Sequence, residues 1–214
     1  MTRRLTLTFD NGPVPGITET VLDVLRERGL TATFFVVGTD LQKPGRRDLV
    51  AQARAEGHRV GNHTMTHSVL LGRTDDPAAP EKEIVASQHL LRDLASEERF
   101  FRPWGGGGVL GPHLLSPRAV QTLERGGYSL VLWNSVPRDW EDAIGWPARA
   151  RADIDRQGWT VIVLHDNSPA VAQLAGFLDA VIADGVEIRS DFPDECVPIR
   201  RGVRTGSLDG LVSV

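Results

Sequence analysis

Seven apolar runs alternate along this chain with segments that have the spacing of amphipathic helices, and this alternation constrains the fold more than any other feature. The runs are continuously apolar, which is typical of parallel strands that are covered on both faces. The intervening segments carry apolar residues at helical spacing, and several end at glycine. The predicted strands are 5–9, 32–37, 58–63, 100–102, 128–133, 160–164 and 186–189. The predicted helices are 17–28, 46–56, 80–95, 115–125, 147–157 and 170–184.

Elements in this order predict an α/β fold, specifically a distorted (β/α) barrel with about seven parallel strands. An open, doubly wound sheet is the alternative, because it has the same alternation of elements. A chain of 214 residues, 41% of them hydrophobic, can form one core, so we predict a single domain over 1–214. The segment 191–214 is rich in proline, glycine and charge, and we interpret it as a C-terminal extension of undefined structure.

The charge balance argues against nucleic acid and membrane partners. The net charge is −4, and the 24 lysines and arginines form no long basic run of the kind that binds polyanions. The single cysteine, Cys196, cannot form an internal disulfide bond, so the fold does not depend on an oxidising compartment. We see neither a signal peptide nor an apolar run of membrane-spanning length, so we expect a cytoplasmic protein unless a leader has been removed.

Polar residues directly follow most of the predicted strands. In a parallel barrel the carboxyl ends of all strands open on one face, and that face holds the active site. We therefore expect these residues to converge on one rim. They are Asp10 and Asn11 after the first strand, Asn62, His63 and His67 after the third, Arg102 after the fourth, Asp139 and Trp140 after the fifth, and His165 and Asp166 after the sixth.

His63 and His67 have the spacing of a metal-binding pair. Two imidazoles four residues apart lie on one face of a helical turn, close enough to share an ion. A catalytic zinc needs a third protein ligand and an open position for water, and an oxygen from Asp10 or Asn11 is a candidate for the third. The alternative is a pair of surface or capping histidines.

Four further residues each have a catalytic and a structural interpretation. Asp10 is a base beside a metal-bound water, or an acid that stabilises a turn. Arg102 orients Asp10, or forms an ordinary salt bridge, and Asp139 holds Arg102, or caps a helix. His165 is a general acid, since histidine titrates near neutral pH, or a hydrogen-bonded core residue. Aromatic faces that suit sugar rings, or that simply pack, fall near the same rim at Trp104, Trp133, Trp140 and Trp146.

Six motifs in their order along the chain resemble the polysaccharide deacetylase family, the NodB homology domain of carbohydrate esterase family four. The motifs are TFDNGP, ATFFVVG, GHRVGNHTMTH, FRPWGG, RDW and VLHD, and the resemblance extends over about residues 5–190. It implies a distorted (β/α) barrel and metal-dependent removal of N- or O-linked acetyl groups from carbohydrate.

The resemblance also implies a role for each matching residue. Asp10 resembles the catalytic base and His165 the general acid. Arg102 matches the arginine that positions the base, and Asp139 matches its acidic partner, which also tunes the histidine acid.

The metal implied by the resemblance is divalent, with zinc as the first choice. His63 and His67 match the two histidine ligands, and Asn11 stands where the family usually has its metal-binding aspartate. The tryptophan that walls the acetyl pocket corresponds to Trp140, and a backbone amide near Gly105 resembles the oxyanion donor. The residues implied in substrate binding are Trp140, Val163, Trp104 and Gly105.

Four positions depart from the family pattern, one of them mildly, because Val163 stands where the family usually has leucine. Asn11 replaces an acid, and Val136 stands at the first aspartate of the Asp-x-x-Asp-Trp motif. Trp104 and four glycines follow Pro103, where the family has a proline and an aromatic residue. Our hypothesis is a metal-dependent hydrolase that removes acetyl groups from N-acetylated or O-acetylated carbohydrate. The alternatives are a hydrolase of another non-peptide amide with weak metal dependence, and a carbohydrate-binding protein on a decayed deacetylase scaffold.

Overall fold

The computed structural model describes residues 2–214 as one curled sheet surrounded by helices. The strands are β1 (Arg4–Asp10), β2 (Thr33–Val36), β3 (Arg59–Asn62), β4 (Phe100–Phe101), β5 (Ser129–Leu130), β6 (Trp159–His165), β7 (Glu187–Arg189), β8 (Ile199–Arg200) and β9 (Val203–Arg204). The α-helices are α1 (Thr18–Glu27), α2 (Gly38–Leu41), α3 (Arg46–Ala55), α4 (Ala86–Leu91), α5 (Pro117–Arg125), α6 (Trp146–Arg156) and α7 (Leu174–Ala183). No helix in this part of the chain has the length and apolar character needed to cross a membrane.

The predicted parallel barrel is confirmed. Six parallel strands follow one another in the order β6-β1-β2-β3-β4-β5, and β7 lies parallel to the first half of β1. In an open sheet β5 and β6 would lie at opposite edges. Here a parallel bridge between Ser135 and Ile162 joins the segment after β5 to β6, so the sheet curls back on itself. The doubly wound alternative is therefore wrong.

Successive side chains of β1 point alternately toward the outer helices and into the barrel. Leu5, Leu7 and Phe9 belong to the core that packs against the outer helices. Thr6 and Thr8 are equally buried, but their hydroxyl groups donate to the backbone carbonyls of other segments inside the barrel. Because side chains alternate along a strand, Asp10 continues the inward-facing series at the carboxyl end of β1.

Three predicted elements differ from the structure. The helix expected at 170–184 begins as a 3-10 turn (Pro169–Gln173), and α7 follows it. The strand expected at 128–133 ends after Leu130: the N–H of Val131 still donates to the carbonyl of Phe101 in β4, but that of Leu132 donates to the carbonyl of Cys196. The helix expected at 80–95 is divided into a π-helical turn (Glu81–Val85), α4 and a 3-10 turn (Arg92–Leu94), with the backbone of Arg92 at a φ of 48°.

The C-terminal segment 191–214, whose structure the sequence left undefined, packs into the barrel. A 3-10 turn (Asp194–Cys196) precedes β8 and β9, which pair antiparallel, and β8 pairs with β5. Its apolar residues Phe192, Cys196 and Val197 form a buried cluster with inward-facing residues of the sheet. The other members of the cluster are Phe35, Phe100, Val131 and Val161.

Candidate active site

The carboxyl ends of the parallel strands open around a cavity of about 320 Å³. The predicted site residues line this cavity, except Arg102 and Asp139. Asn62 and Asp166, which were also expected at this rim, are buried and do not line the cavity. Most of the strand-end residues therefore converge on one rim, as expected. The lining residues among those predicted are Asp10, Asn11, His63, His67, Trp104, Gly105, Trp140, Val163 and His165.

Asp10 ends β1, and only 4% of its surface is exposed. Its Oδ1 accepts a hydrogen bond of 2.8 Å from Nη1 of Arg102, and its Oδ2 lies 3.5 Å from Nε2 of His63. Burial on its own would raise the pKa of this carboxyl group, but Arg102, His63 and His165 hold the pKa below its ordinary value. Asp10 is therefore an ionised carboxylate at neutral pH, which is the state that a general base requires.

Arg102 follows β4 and is completely buried. Its guanidinium carbon lies 4.0 Å from the ring centre of Phe35 and 5.6 Å from that of Trp133. The Nη1 atom donates to Oγ1 of Thr8 at 2.7 Å as well as to Asp10. Aromatic faces and hydrogen bonds together hold the cation in one orientation beside the Asp10 carboxylate.

Asp139 contacts His165 and not Arg102, which corrects one expectation from the sequence. Its Oδ1 accepts from Nδ1 of His165 at 2.7 Å, and its Oδ2 accepts from the backbone N–H of His165 at 2.9 Å. Arg102 directs its hydrogen bonds to Thr8, Asp10 and backbone carbonyls. The reason is the path of the chain: the segment after β5 runs beside β6 and brings Asp139 to the end of that strand.

His165 ends β6 directly opposite Asp10 in the register of the parallel pair β1–β6. Burial alone would lower the pKa of this imidazole, but the hydrogen bond to Asp139 and the nearby charges of Asp139, Asp10 and Asp166 raise it above its ordinary value. The Trp140 and His165 rings pack edge to face, with the two ring centres 4.8 Å apart. The structure thus places a histidine that favours its protonated form next to a carboxylate that favours its ionised form.

His63 and His67 face each other, with ring centres 4.9 Å apart. The predicted helical turn is wrong, because Thr64 and His67 have φ angles of 66° and 53° and lie in a loop after β3. Since the carbonyl of Arg102 can only accept, Nδ1 of His63 donates to it at 2.9 Å, which leaves Nε2 with a free lone pair. Burial and the neighbouring His63 lower the pKa of His67 to about 3, so this ring is neutral.

Asn11 presents a buried oxygen that the described residues leave without a hydrogen-bond partner. Its backbone has a φ of 75°, a left-handed conformation that asparagine tolerates better than most residues. Within residues 2–214, no group of three or more His, Cys, Asp or Glu side chains is arranged to hold a metal ion. The donors present are instead two neutral imidazoles and one unpaired amide oxygen, and this set fits a divalent cation of the zinc type.

The walls of the cavity are aromatic and aliphatic. Trp104 packs against His67 with ring centres 5.6 Å apart, and Trp140 and Val163 line the side near His165. Trp146, expected near the rim, lies instead in the outer core, where its Nε1 donates to the carbonyl of Ala170.

Two residues that contribute to the site were not assigned a role from the sequence. Thr8 accepts a hydrogen bond from Arg102, and its place two residues before Asp10 on an inward-facing series was the signal that could have identified it. Trp133 contacts Arg102 and lines the cavity, although the sequence marked it only as an aromatic near the rim.

The chain is similar to a known protein family and to two named deacetylases. A family profile described as polysaccharide deacetylase matches residues 2–130, more than half of the 214-residue chain. A peptidoglycan-N-acetylglucosamine deacetylase of Bacillus cereus is 32% identical over 187 residues, covering 85% of this chain and 83% of that protein. A chitooligosaccharide deacetylase of Sinorhizobium fredii is 36% identical over 172 residues, covering 76% of this chain and 72% of that protein.

The fold is shared with solved structures of the same kind. The crystal structure of a family four carbohydrate esterase pseudoenzyme from Bacillus anthracis superposes with a TM-score of 0.74 over 87% of this chain and 63% of that chain. At 15% identity this likeness concerns the fold alone. The profile match over more than half of the chain and the 32% identity to the Bacillus cereus protein show that the chain belongs to the polysaccharide deacetylase family.

Proposed function

We propose that this protein removes acetyl groups from N-acetylated carbohydrate with the help of a bound divalent metal. The observation that carries the proposal is the pairing of Asp10 and His165 at adjacent strand ends, each held by its own buried partner. The pKa of Asp10 is lowered and that of His165 is raised, so Asp10 favours the form that accepts a proton and His165 favours the form that donates one.

Asp10 and His165 perform complementary proton transfers in this proposal. The Asp10 carboxylate takes a proton from the attacking water, and Arg102 holds it in place for that step. The His165 imidazolium, oriented by Asp139, gives a proton to the departing amine. Without that proton the amine is a poor leaving group at neutral pH.

The metal ligands in this proposal are His63, His67 and Asn11, with zinc as the first choice. A divalent cation held there would polarise the carbonyl oxygen of the acetyl group and acidify a water molecule. All three donors are neutral, so Asp10, 3.5 Å from Nε2 of His63, supplies the negative charge nearest to the histidine pair. We expect weaker metal affinity than a site with a carboxylate ligand would have.

The walls of the cavity provide the proposed contacts with the substrate. Trp104 and Trp140 offer flat faces on which a sugar ring can pack, and Val163 contributes aliphatic surface. The N–H of Gly105 is the proposed donor to the oxyanion. The relatives named above act, by their descriptions, on peptidoglycan and on chitooligosaccharides, so an N-acetylglucosamine unit is the first substrate to test.

The test is acetate release from N-acetylated chitin oligomers and from peptidoglycan, by protein that has been stripped with chelator and then reloaded with zinc. We expect acetate with an equal amount of new free amine, loss of activity on stripping, and recovery on reloading. Acetate release that survives stripping would show that the reaction does not need the metal, and no acetate from either substrate would favour the hydrolase of another amide.

Asn11 is the observation that favours the second candidate, a carbohydrate-binding protein on a decayed scaffold. A neutral residue at a metal-binding position is what loss of catalysis would leave behind. This candidate predicts that the oligomers bind, by calorimetry, while zinc-loaded protein releases no acetate. Against it, the buried pairs Asp10–Arg102 and His165–Asp139 are both intact.

A further inference from the structure

One wall of the cavity is a loop of four consecutive glycines, 105–108. Because these residues have no side chains, contacts within the loop cannot fix its conformation. The φ angles of Gly106, Gly107 and Gly108 are 55°, 111° and 85°, a left-handed region that favours glycine. The loop begins with Gly105, whose N–H is the proposed donor to the oxyanion. A glycine run loses more conformational freedom on ordering than any other sequence, so the order of this loop must come from its neighbours.

Two aromatic side chains from other parts of the chain hydrogen-bond to the two ends of this loop. Nε2 of His113 lies 3.2 Å from the carbonyl oxygen of Gly105, and Nε1 of Trp133 lies 2.7 Å from that of Gly108. A carbonyl oxygen only accepts, so both rings donate, and His113 carries its proton on Nε2.

Close packing adds a second restraint. A Cβ atom placed on Gly105 would lie 2.9 Å from two carbons of the Trp133 indole, and one on Gly108 would lie 2.8 Å from Val136. The Trp133 ring therefore occupies the space that a side chain at position 105 would need. The same ring packs against Arg102, the partner of Asp10, so Trp133 contacts both the loop and the group that holds the base.

We propose that His113 and Trp133 are positioning residues that hold the 105–108 loop, and with it the Gly105 N–H, at a fixed place relative to Asp10. His113 acts on the loop alone, whereas Trp133 acts on the loop and on Arg102. The proposal rests on the proposed function for its catalytic consequence, but the restraint on the loop stands on the contacts themselves.

The first test compares the turnover of two variants at His113, each with zinc bound. His113→Leu removes the donor, and we expect kcat to fall between about tenfold and a hundredfold while KM changes less than about threefold. His113→Gln keeps a donor at a similar reach, and we expect it to restore kcat to within about threefold of wild type. The matched control is His89→Leu, an exposed position on α4. An unchanged kcat in His113→Leu, or a change confined to KM, would overturn the positioning role.

The second test measures hydrogen exchange of the amides at 105–108 and does not depend on activity. We expect faster exchange there in His113→Leu and in Trp133→Phe, with β1 and β6 unchanged. Trp159→Phe is the control, because its indole also donates a single hydrogen bond, to Thr6, far from the loop. If the wild-type protein released no acetate, the proposed function would be wrong, but the exchange rates would still show whether the two rings hold the loop. Wild-type exchange rates in both variants would show that neither ring holds the loop.

Discussion

Asn11 is the one proposed metal ligand that is not a histidine. An amide oxygen is a neutral donor, so replacing it with a carboxylate should strengthen metal binding. For Asn11→Asp we expect zinc affinity, measured by competition with a chelator, to rise by at least about tenfold, which corresponds to about 1.4 kcal/mol. Turnover at saturating zinc should change less than about tenfold.

The matched control for this prediction is Asn167→Asp. Asn167 lies exposed at the same cavity, so the variant adds the same charge without adding a proposed ligand. Equal gains in affinity for both variants would mean that residue 11 acts through general charge and does not bind the metal. A rise of several orders of magnitude in turnover from almost nothing would identify the natural protein as a disabled enzyme.

Asp166 makes the stability of the protein depend on pH. Burial raises the pKa of its carboxyl group from 3.8 to about 6, even though Thr18 donates to Oδ2 at 2.7 Å. The folded state therefore holds this proton more tightly than the unfolded chain, and the resulting stabilisation is present below about pH 4 and lost as the pH rises through about 6. The loss amounts to roughly 3 kcal/mol.

Asp166→Asn removes this titration. We expect the unfolding free energy of the variant, measured by urea denaturation and expressed relative to wild type, to increase by roughly 2 kcal/mol between about pH 4 and about pH 7. A difference between the two proteins that stays constant over this range would show that folding does not shift the pKa of Asp166.

At the scale of elements, the sequence predicted the positions of the strands and helices more accurately than the residues at which they end. Continuous burial of β1 and β6 made both strands visible as runs of apolar residues. The shortening of β5 could not be predicted, because it depends on Cys196, more than sixty residues further along the chain, accepting a hydrogen bond from Leu132. The loop at His63 and His67 was mistaken for a helical turn, since a spacing of four residues does not reveal the left-handed backbone at Thr64.

The C-terminal segment should contribute to stability as part of the core. Phe192 is 5% exposed and packs edge-on against Phe100, with ring centres 5.4 Å apart. Phe192→Ala should lower the unfolding free energy by about 3–5 kcal/mol, measured by chemical denaturation, because it leaves a cavity inside the barrel. Val203→Ala, at an exposed position in β9, should change it by less than about 0.5 kcal/mol. Equally small losses in both variants would mean that the segment does not form part of the core.

At the scale of the whole molecule, the sequence predicted the barrel and the convergence of its strand ends. Both follow from the order of parallel strands and from the residue after each strand. The expected contacts of Arg102 with Asp10 and of Asp139 with the histidine acid are present, whereas the expected contact between Asp139 and Arg102 is not, because Asp139 lies at the end of β6. The contacts of His113 and Trp133 with the glycine loop could not be predicted, because no spacing along the chain indicates them. The cytoplasmic location expected from the sequence stays a prediction.

The central claim is that Asp10 and His165 serve as base and acid in deacetylation, and one measurement tests it most directly. Acetate release from N-acetylated chitin oligomers is followed at saturating substrate for zinc-loaded wild-type protein and for His165→Ala. The account predicts steady release by the wild type and a rate lower by about 10²- to 10⁴-fold in the variant, with its fold and zinc content retained. Equal rates in the two proteins, or no acetate from the wild type, would contradict it.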